Sequence, residues 1–322
     1  MIEFRNVHAS YNASVPVLKG VDFTIEDGAF VAFVGTNGAG KSTTMRLIDG
    51  LIKPDEGEVL IDGVPTTELR TSELAKRVGF LFQNPDSQIC NNTVRDELMF
   101  GFKALHEEGP EAEERVAGII ELFGFDPDAD PFLLNRGTRQ LLALASIVVM
   151  APQVLVLDEP TTGLDFRECE KVMDIVRTLH ERGTTVVMVC HDMEIVGDFA
   201  EQVIVMNDGR VVDQGPTFEV LRRRETLERA SLVPPQMVDL SLTLAAADAR
   251  LAQAPVGRAN TLDEMEAAVR AEAGKGAGVA EGAPVVELAA APTAASQSRA
   301  RVIPFPTARD DAAKQAAEQG GR

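Results

Sequence analysis

Tryptophan is absent from the 322 residues, tyrosine occurs once, and the three cysteines, Cys90, Cys169 and Cys190, form no C-x-x-C pair. Three thiols cannot all pair within one chain, and their spacing suits neither a disulfide framework nor a structural zinc site, so a reducing, cytosolic setting is expected. Cations are scarce as well, with 31 Lys and Arg against 50 Asp and Glu and a formal charge of −19. That balance argues against a sequence-independent grip on nucleic acid phosphates, which needs clustered cations; a protein partner with basic docking elements suits it better. The start, Met1-Ile2-Glu3-Phe4-Arg5-Asn6, lacks the basic segment and apolar core of a signal peptide. The longest apolar run, Leu141 to Leu157, is broken by Pro152 and Gln153 and falls short of the ~20 residues that a spanning helix needs. It reads as a buried helix from Arg139 to Met150 followed by a buried strand from Val154 to Leu157.

The chain does have length enough for a domain of about 230 residues with an appendage. Its most informative stretch is Gly35-Thr36-Asn37-Gly38-Ala39-Gly40-Lys41-Ser42-Thr43, which fits G-x-x-x-x-G-K-[ST]. The apolar run Phe30 to Val34 precedes it and the helix-compatible Thr44-Met45-Arg46-Leu47-Ile48 follows, the strand–loop–helix context that this motif requires. Glycines let successive N–H groups turn inward around phosphate oxygens, and the helix behind adds the positive end of its dipole. Lys41 can then reach the outer phosphates as a mobile cation, and the Ser42 hydroxyl can hold Mg²⁺.

Other pieces fall at recognisable places. Residues 2–34 alternate in short segments separated by Asn, Gly and Pro, as antiparallel strands do. Tyr11 sits in what reads as a polar turn, where its ring can stack on a nucleobase. Val78-Gly79-Phe80-Leu81-Phe82 reads as a buried strand leading to Gln83 and an amide-rich loop; Thr93 then caps a helix, and residues 111–123 form another, so that residues 84–135 make a mostly helical insertion. Val154 to Leu157 is apolar on both faces, as in a central parallel strand, and ends in Asp158-Glu159 at the edge where open α/β sheets place ligands. There Asp158 can orient Mg²⁺ and Glu159 can polarise a water. A helix from Glu168 to Arg182 and a strand from Thr185 to Cys190 follow, and the strand ends in His191.

In order and spacing, the loop at 35–43, Gln83, Leu155-Val156-Leu157-Asp158-Glu159-Pro160, Thr162-Gly163-Leu164-Asp165 and His191 resemble the nucleotide-binding subunits of ATP-binding cassette transporters, over about Ile2 to Leu221. Within that superfamily, Phe82 to Ile89 and Asn92 to Gly101 look like the energy-coupling factor group and its cobalt and nickel relatives. The resemblance implies an α/β fold: a P-loop NTPase core with a mixed sheet, an N-terminal antiparallel β subdomain and the inserted helical signature subdomain. It implies that Tyr11 stacks on adenine; that Gly35, Thr36, Asn37, Gly38, Ala39, Gly40, Lys41, Ser42 and Thr43 hold the triphosphate of ATP; and that Ser42, Gln83 and Asp158 attend Mg²⁺. Glu159 would be the general base, Gln83 and His191 would help position the water, and Asp165 would bridge to a second ATP-binding subunit in a homo- or heterodimer. Partners would include transmembrane coupling and substrate-binding subunits, docked near residues 84–102, with the chain peripheral on the cytoplasmic face of the membrane.

One motif departs from the family pattern. Where relatives carry Leu-Ser-Gly-Gly-Gln, this chain has Leu134-Asn135-Arg136-Gly137-Thr138, so that Asn135 and Gly137 would face the partner's nucleotide with an amide in place of a hydroxyl. The expected function is ATP hydrolysis that powers import of a vitamin or transition-metal ion. The alternatives are a soluble ATPase of the same superfamily acting on DNA or ribosomes, against which the acidity and the lack of long coiled-coil insertions argue, and a partly degenerate structural partner. The domain boundaries expected are 1–221 for the ATP-binding domain, 222–270 for a short helical extension interrupted at Pro234-Pro235, and 271–322 for an Ala-, Gly-, Pro- and Glu-rich tail whose composition cannot bury enough apolar surface to fold alone.

Overall fold

Two kinds of apolar pattern build two sheets. The alternating N-terminal segment forms β1 (Ile2–Asn12) and β2 (Val15–Ile25); the continuous run Phe30–Gly35 is β3, and the loop after it opens α1 (Lys41–Ile48). A hairpin of β4 (Glu56–Ile61) and β5 (Val64–Pro65) follows, then α2 (Thr71–Arg77) and β6 (Val78–Leu81). The insertion carries α3 (Val94–Leu105), α4 (Pro110–Phe123) and α5 (Arg136–Val148). The chain returns through β7 (Val154–Asp158), α6 (Phe166–Glu181), β8 (Thr185–Val189), α7 (Met193–Phe199), β9 (Gln202–Asn207) and β10 (Arg210–Pro216), and continues as α8 (Thr217–Leu221) and α9 (Arg224–Arg229). After Pro234-Pro235 come α10 (Gln236–Ala247), α11 (Ala249–Gln253) and α12 (Leu262–Gly276).

This is a computed structural model, and it describes residues 1–12 and 15–276. They divide into a unit that runs to Leu232 and a second that begins at Val233. The first therefore takes in α9 and runs on to Leu232, past the boundary expected at 221. In the second, α10 and α12 meet over a small core of Val256, Ala259, Met265 and Ala268. Helix α12 persists to Gly276, past the expected start of the tail at 271, and residues 277–322 lie outside the described residues. No helix among the described residues is long and apolar enough to cross a membrane.

In the first unit the smaller sheet is antiparallel, in the order β2-β1-β4-β5, with Phe4 opposite Phe23 and Ile2 opposite both Ile25 and Ile61. The larger sheet runs β10-β9-β3-β8-β7-β6; its central strands are parallel and β10 is an antiparallel edge. Every residue of β3 and β8 is buried, which is why these strands read as unbroken apolar runs. Phe23 stacks on Phe4 at 4.3 Å and meets Phe33 edge-on at 5.2 Å, so one aromatic ring joins the two sheets through a shared core. Thr93 caps α3 as its position implies, accepting from the Asp96 N–H, and Pro110 occupies the first turn of α4, where a missing N–H costs nothing. Tyr11 lies on β1, not in a turn; the sheet simply extends further than the alternation shows.

Behind α1, burial pushes the Asp49 carboxyl up to about 7. A folded value above the unfolded one means that the native state holds the extra proton, so this group's stabilisation is present in acid and lost as pH rises through about 7. Asp49→Asn should therefore flatten the pH dependence. Between about pH 5 and about pH 8 the wild type should lose up to about 2.5 kcal/mol that the variant retains, read as denaturation midpoints at the two pH values.

Candidate functional site

Parallel strands end on the same side, and here that rule gathers the chemistry. Strand order β3-β8-β7-β6 sets side by side the loop after Gly35, Cys190-His191, Asp158-Glu159 and Phe82-Gln83, in a spatial order that differs from their order in sequence. Between them lies a cavity of about 660 Å³ lined by Tyr11, Val17, Asn37, Gly38, Gly40, Lys41, Ser42, Thr43, Gln83, Glu159 and His191. Nearly all of it comes from residues that the sequence nominates; Val17 does not.

The phosphate-loop geometry is enforced by its glycines. Gly35 has φ 142°, and a Cβ there would sit 1.9 Å from the Met206 carbonyl oxygen of β9. Thr36 is tied to Asn207 at 3.3 Å, and the Gly209 N–H donates to the Ala39 carbonyl, so the loop is fastened to the β9–β10 turn. Lys41 is only 7% exposed and its Nζ donates to the carbonyls of Gly35 at 2.8 Å and Thr36 at 2.9 Å, a poised cation held by its own loop. Burial lowers its pKa, while Glu159 and Asp158 work against that. Tyr11 is half exposed, and its hydroxyl accepts from Thr43 Oγ1 at 3.2 Å and Arg46 Nη1 at 3.1 Å. The ring is thus anchored at its polar tip beside α1, with the Arg46 guanidinium carbon over it at 5.9 Å from the ring centre.

Opposite Lys41 lies the acidic pair. The Ser42 hydroxyl donates to Asp158 Oδ1 at 3.3 Å, and burial raises the Asp158 carboxyl despite that bond. Glu159 is held at φ 50°, a left-handed conformation that costs about 1 kcal/mol or more for a residue with a side chain, and it is stabilised by its N–H donating to the Val189 carbonyl. The turn aims the carboxylate into the cavity, where Oε2 accepts from Gln83 Nε2 at 2.8 Å and Thr162 Oγ1 at 3.0 Å and lies 3.6 Å from His191 Nδ1. Thr162 is the partner that the sequence does not announce: it stands in the Thr162-Gly163-Leu164-Asp165 motif, but its hydroxyl is assigned by the fold.

Asn135, Gly137 and Asp165 do not line this cavity. Asn135 caps α5, its Oδ1 accepting from the Thr138 N–H at 2.8 Å. That leaves the amide N–H₂ as the group that this exposed side chain can offer outward. Gly137 is buried beneath Glu168, whose carboxylate a Cβ would meet at 1.9 Å. Asp165 caps α6 in a reciprocal box with Glu168. Arg136 Nη2 donates to the Thr162 carbonyl at 3.1 Å, tying the start of α5 to the loop that carries Glu159.

The family model described as ABC transporter matches residues 18–162. The chain is 40% identical over 244 residues to the energy-coupling factor transporter ATP-binding protein EcfA of Methanothermobacter thermautotrophicus, covering 74% of this chain and 78% of that one. It is 37% identical over 250 residues to EcfA2 of Clostridium perfringens, covering 74% and 88%. It spans less than half, 43%, of a longer relative from Caldanaerobacter subterraneus. Among solved structures, cbiO1 from Clostridium perfringens, part of the ABC transporter complex cbiONQ, superposes with TM-score 0.63 at 32% identity over 74% of this chain and 97% of that one. A dimeric ATP-binding cassette in a post-hydrolysis state bound to ADP and Pi gives TM-score 0.61 at 31% identity, covering 67% and 99%.

Lys41→Ala should weaken nucleotide binding by more than ~100-fold, since charge-assisted contacts of about 1.5–3 kcal/mol each leave with the amine. The melting temperature should stay within a few degrees, because among the described residues that amine bonds to carbonyls of its own loop. Titration with a fluorescent nucleotide, beside a thermal melt, checks both; unchanged affinity would overturn the phosphate-loop reading.

Proposed function

This chain belongs to the ABC transporter family as an ATP-hydrolysing subunit, and from that premise we propose that it powers import of a vitamin or transition-metal ion through separate membrane subunits. The observation that carries the reading is the convergence of Gln83, Thr162 and His191 on one oxygen of Glu159, across a cavity from Lys41. ATP would lie with its base on Tyr11 and its phosphates along residues 35–43, competing with the loop carbonyls for the Lys41 ammonium. Ser42, Asp158 and Gln83 present a hydroxyl, a carboxylate and an amide oxygen, a hard donor set that fits Mg²⁺, with Ser42 Oγ and Asp158 Oδ1 already 3.3 Å apart. When bound, that ion would offset the negative charge of the phosphates.

Glu159 would take the proton of the attacking water. Its two hydrogen-bond donors hold Oε2 in place, so that no side-chain search precedes the reaction. His191, exposed at the rim of the cavity, would meet the terminal phosphate, and Gln83 would report its presence. The substrate class and membrane partners rest on the energy-coupling factor and cbiO relatives; the chain would sit on the cytoplasmic face as a peripheral subunit.

The signature favours a heterodimer with a second, different ATP-binding subunit. Each nucleotide would be gripped by the phosphate loop of one subunit and the α5 start of the other, so Asn135 would act on the partner's ATP while a regular signature acts on the ATP at Lys41.

Glu159→Gln keeps the carboxylate's shape but removes the base; in a complex changed alike at both sites, ATP should still bind while turnover falls by ~10² or more, measured as phosphate release. Wild-type turnover would mean that another group activates the water. Removing the base from one subunit of the purified complex at a time should give unequal losses, the larger from this chain. Equal losses, or a fully active homodimer, would refute the asymmetry.

A further inference from the structure

Arg136 stands where the signature of the relatives carries glycine, so its side chain is a feature that the common pattern does not supply. It opens α5, and its guanidinium turns onto the loop after β7, where Nη2 donates to the Thr162 carbonyl at 3.1 Å. Gly163 leaves room for it. A Cβ there would meet Arg136 Nε at 3.0 Å, Cζ at 3.2 Å and Nη2 at 3.3 Å, three nearly equal distances that lay the guanidinium flat against that glycine. One turn along the same face of α5, the buried Gln140 donates to the Pro160 carbonyl at 3.1 Å, and Gly137 packs on Glu168 of α6. The start of α5 is thus a fixed frame from which two side chains hold two carbonyls of one loop.

The held loop carries the base and one of its partners. The Thr162 hydroxyl donates to Glu159 Oε2 at 3.0 Å, and the Thr162 N–H closes a turn on the Glu159 carbonyl at 3.2 Å. Next in the chain is Gly163 at φ 76°, a residue type that takes either sign of φ at little cost. The peptide plane between Thr162 and Gly163 therefore has no steric lock on its glycine side. Rotation of that plane alters the backbone of Thr162 and with it the aim of the hydroxyl, and Arg136 holds its carbonyl. Gln83, the other donor to Oε2, comes from the loop after β6 and lies outside this control.

We propose that Arg136 is a positioning residue for the base of its own subunit: by fixing the Thr162 carbonyl it sets the Thr162 hydroxyl, and through that hydroxyl the Glu159 carboxylate. The inference rests on the reading of Glu159 as the base. It gives the altered signature a task at the ATP on Lys41, in the same chain, besides the one at the partner's nucleotide. R136M keeps a long stem but removes every donor, whereas R136K keeps a donor of similar reach.

The test is a double-mutant cycle on kcat for ATP hydrolysis, using the full chain in its native complex, with KM and fluorescent-nucleotide affinity read alongside. R136M should lower kcat roughly three- to tenfold, the order expected when one hydrogen bond is lost, with KM and affinity within about twofold of wild type. R136K should recover kcat to within about twofold of wild type. T162V removes the hydroxyl, and in that background R136M should cost no more than about twofold further, because the group through which it acts is gone. R136A takes the same arms if R136M does not fold. An unchanged kcat in R136M, no recovery in R136K, or a double variant whose loss is the product of the two single losses would each overturn the positioning role. So would a loss that falls on KM or affinity instead, as a contact between the guanidinium and a phosphate would give. Wild-type turnover in Glu159→Gln would remove the base and this inference with it, whereas the other failures leave the base in place.

Discussion

The parallel pairing of β8 between β3 and β7 is the constraint on which the rest depends. Val31 pairs with Val187, and Asp158 with Val189, so that three strands distant in sequence end level with one another. Moving β8 by one residue would turn the strand over and send its side chains to the opposite face, and would carry His191 with it. The buried valines on both faces of these strands are thus as much a part of the chemistry as Glu159, since they fix the register that brings a cation, two carboxylates, an amide and an imidazole within reach of one ligand.

Charge has a similar logic. The chain is strongly acidic overall, yet at its centre a lysine is packed against backbone carbonyls with two carboxylates near it. Lys41 is tethered through dipoles, not through a salt bridge to Asp158 or Glu159, and it is therefore available to an incoming anion. The two carboxylates differ in their surroundings: Asp158 is half-buried beside the Ser42 hydroxyl, whereas Glu159 is turned into the cavity by its left-handed backbone.

Local features were legible in the sequence because their causes are local. Glycine spacing in residues 35–40, the apolar runs Phe30–Val34 of β3 and Val154–Leu157 of β7, and the hydroxyl cap at Thr93 each follow from nearest-neighbour sterics or hydrogen bonding. What stayed hidden arises from distant pairing: the place of β8, the bond from Thr162 to Glu159, the extension of β1 through Tyr11, and the lining by Val17. Helix starts show a different failure. Helix α5 begins at Arg136 and not at Arg139, and α6 at Phe166 and not at Glu168, because Asn135 and Asp165 are caps. The D-x-x-E of Asp165 and Glu168 is a capping signature in plain view, overshadowed by the role that the motif suggested.

Tyr11 and Lys41 belong to different sheets, the first to the antiparallel β1, the second to the loop that leaves β3. A ligand that stacks on one and reaches the other spans a gap between two independently hydrogen-bonded layers. The cavity is consequently a ruler as well as a charge receptor. On the proposed reading, pyrophosphate would engage the loop alone and a nucleoside the ring alone, and only a molecule carrying both ends would engage the two together.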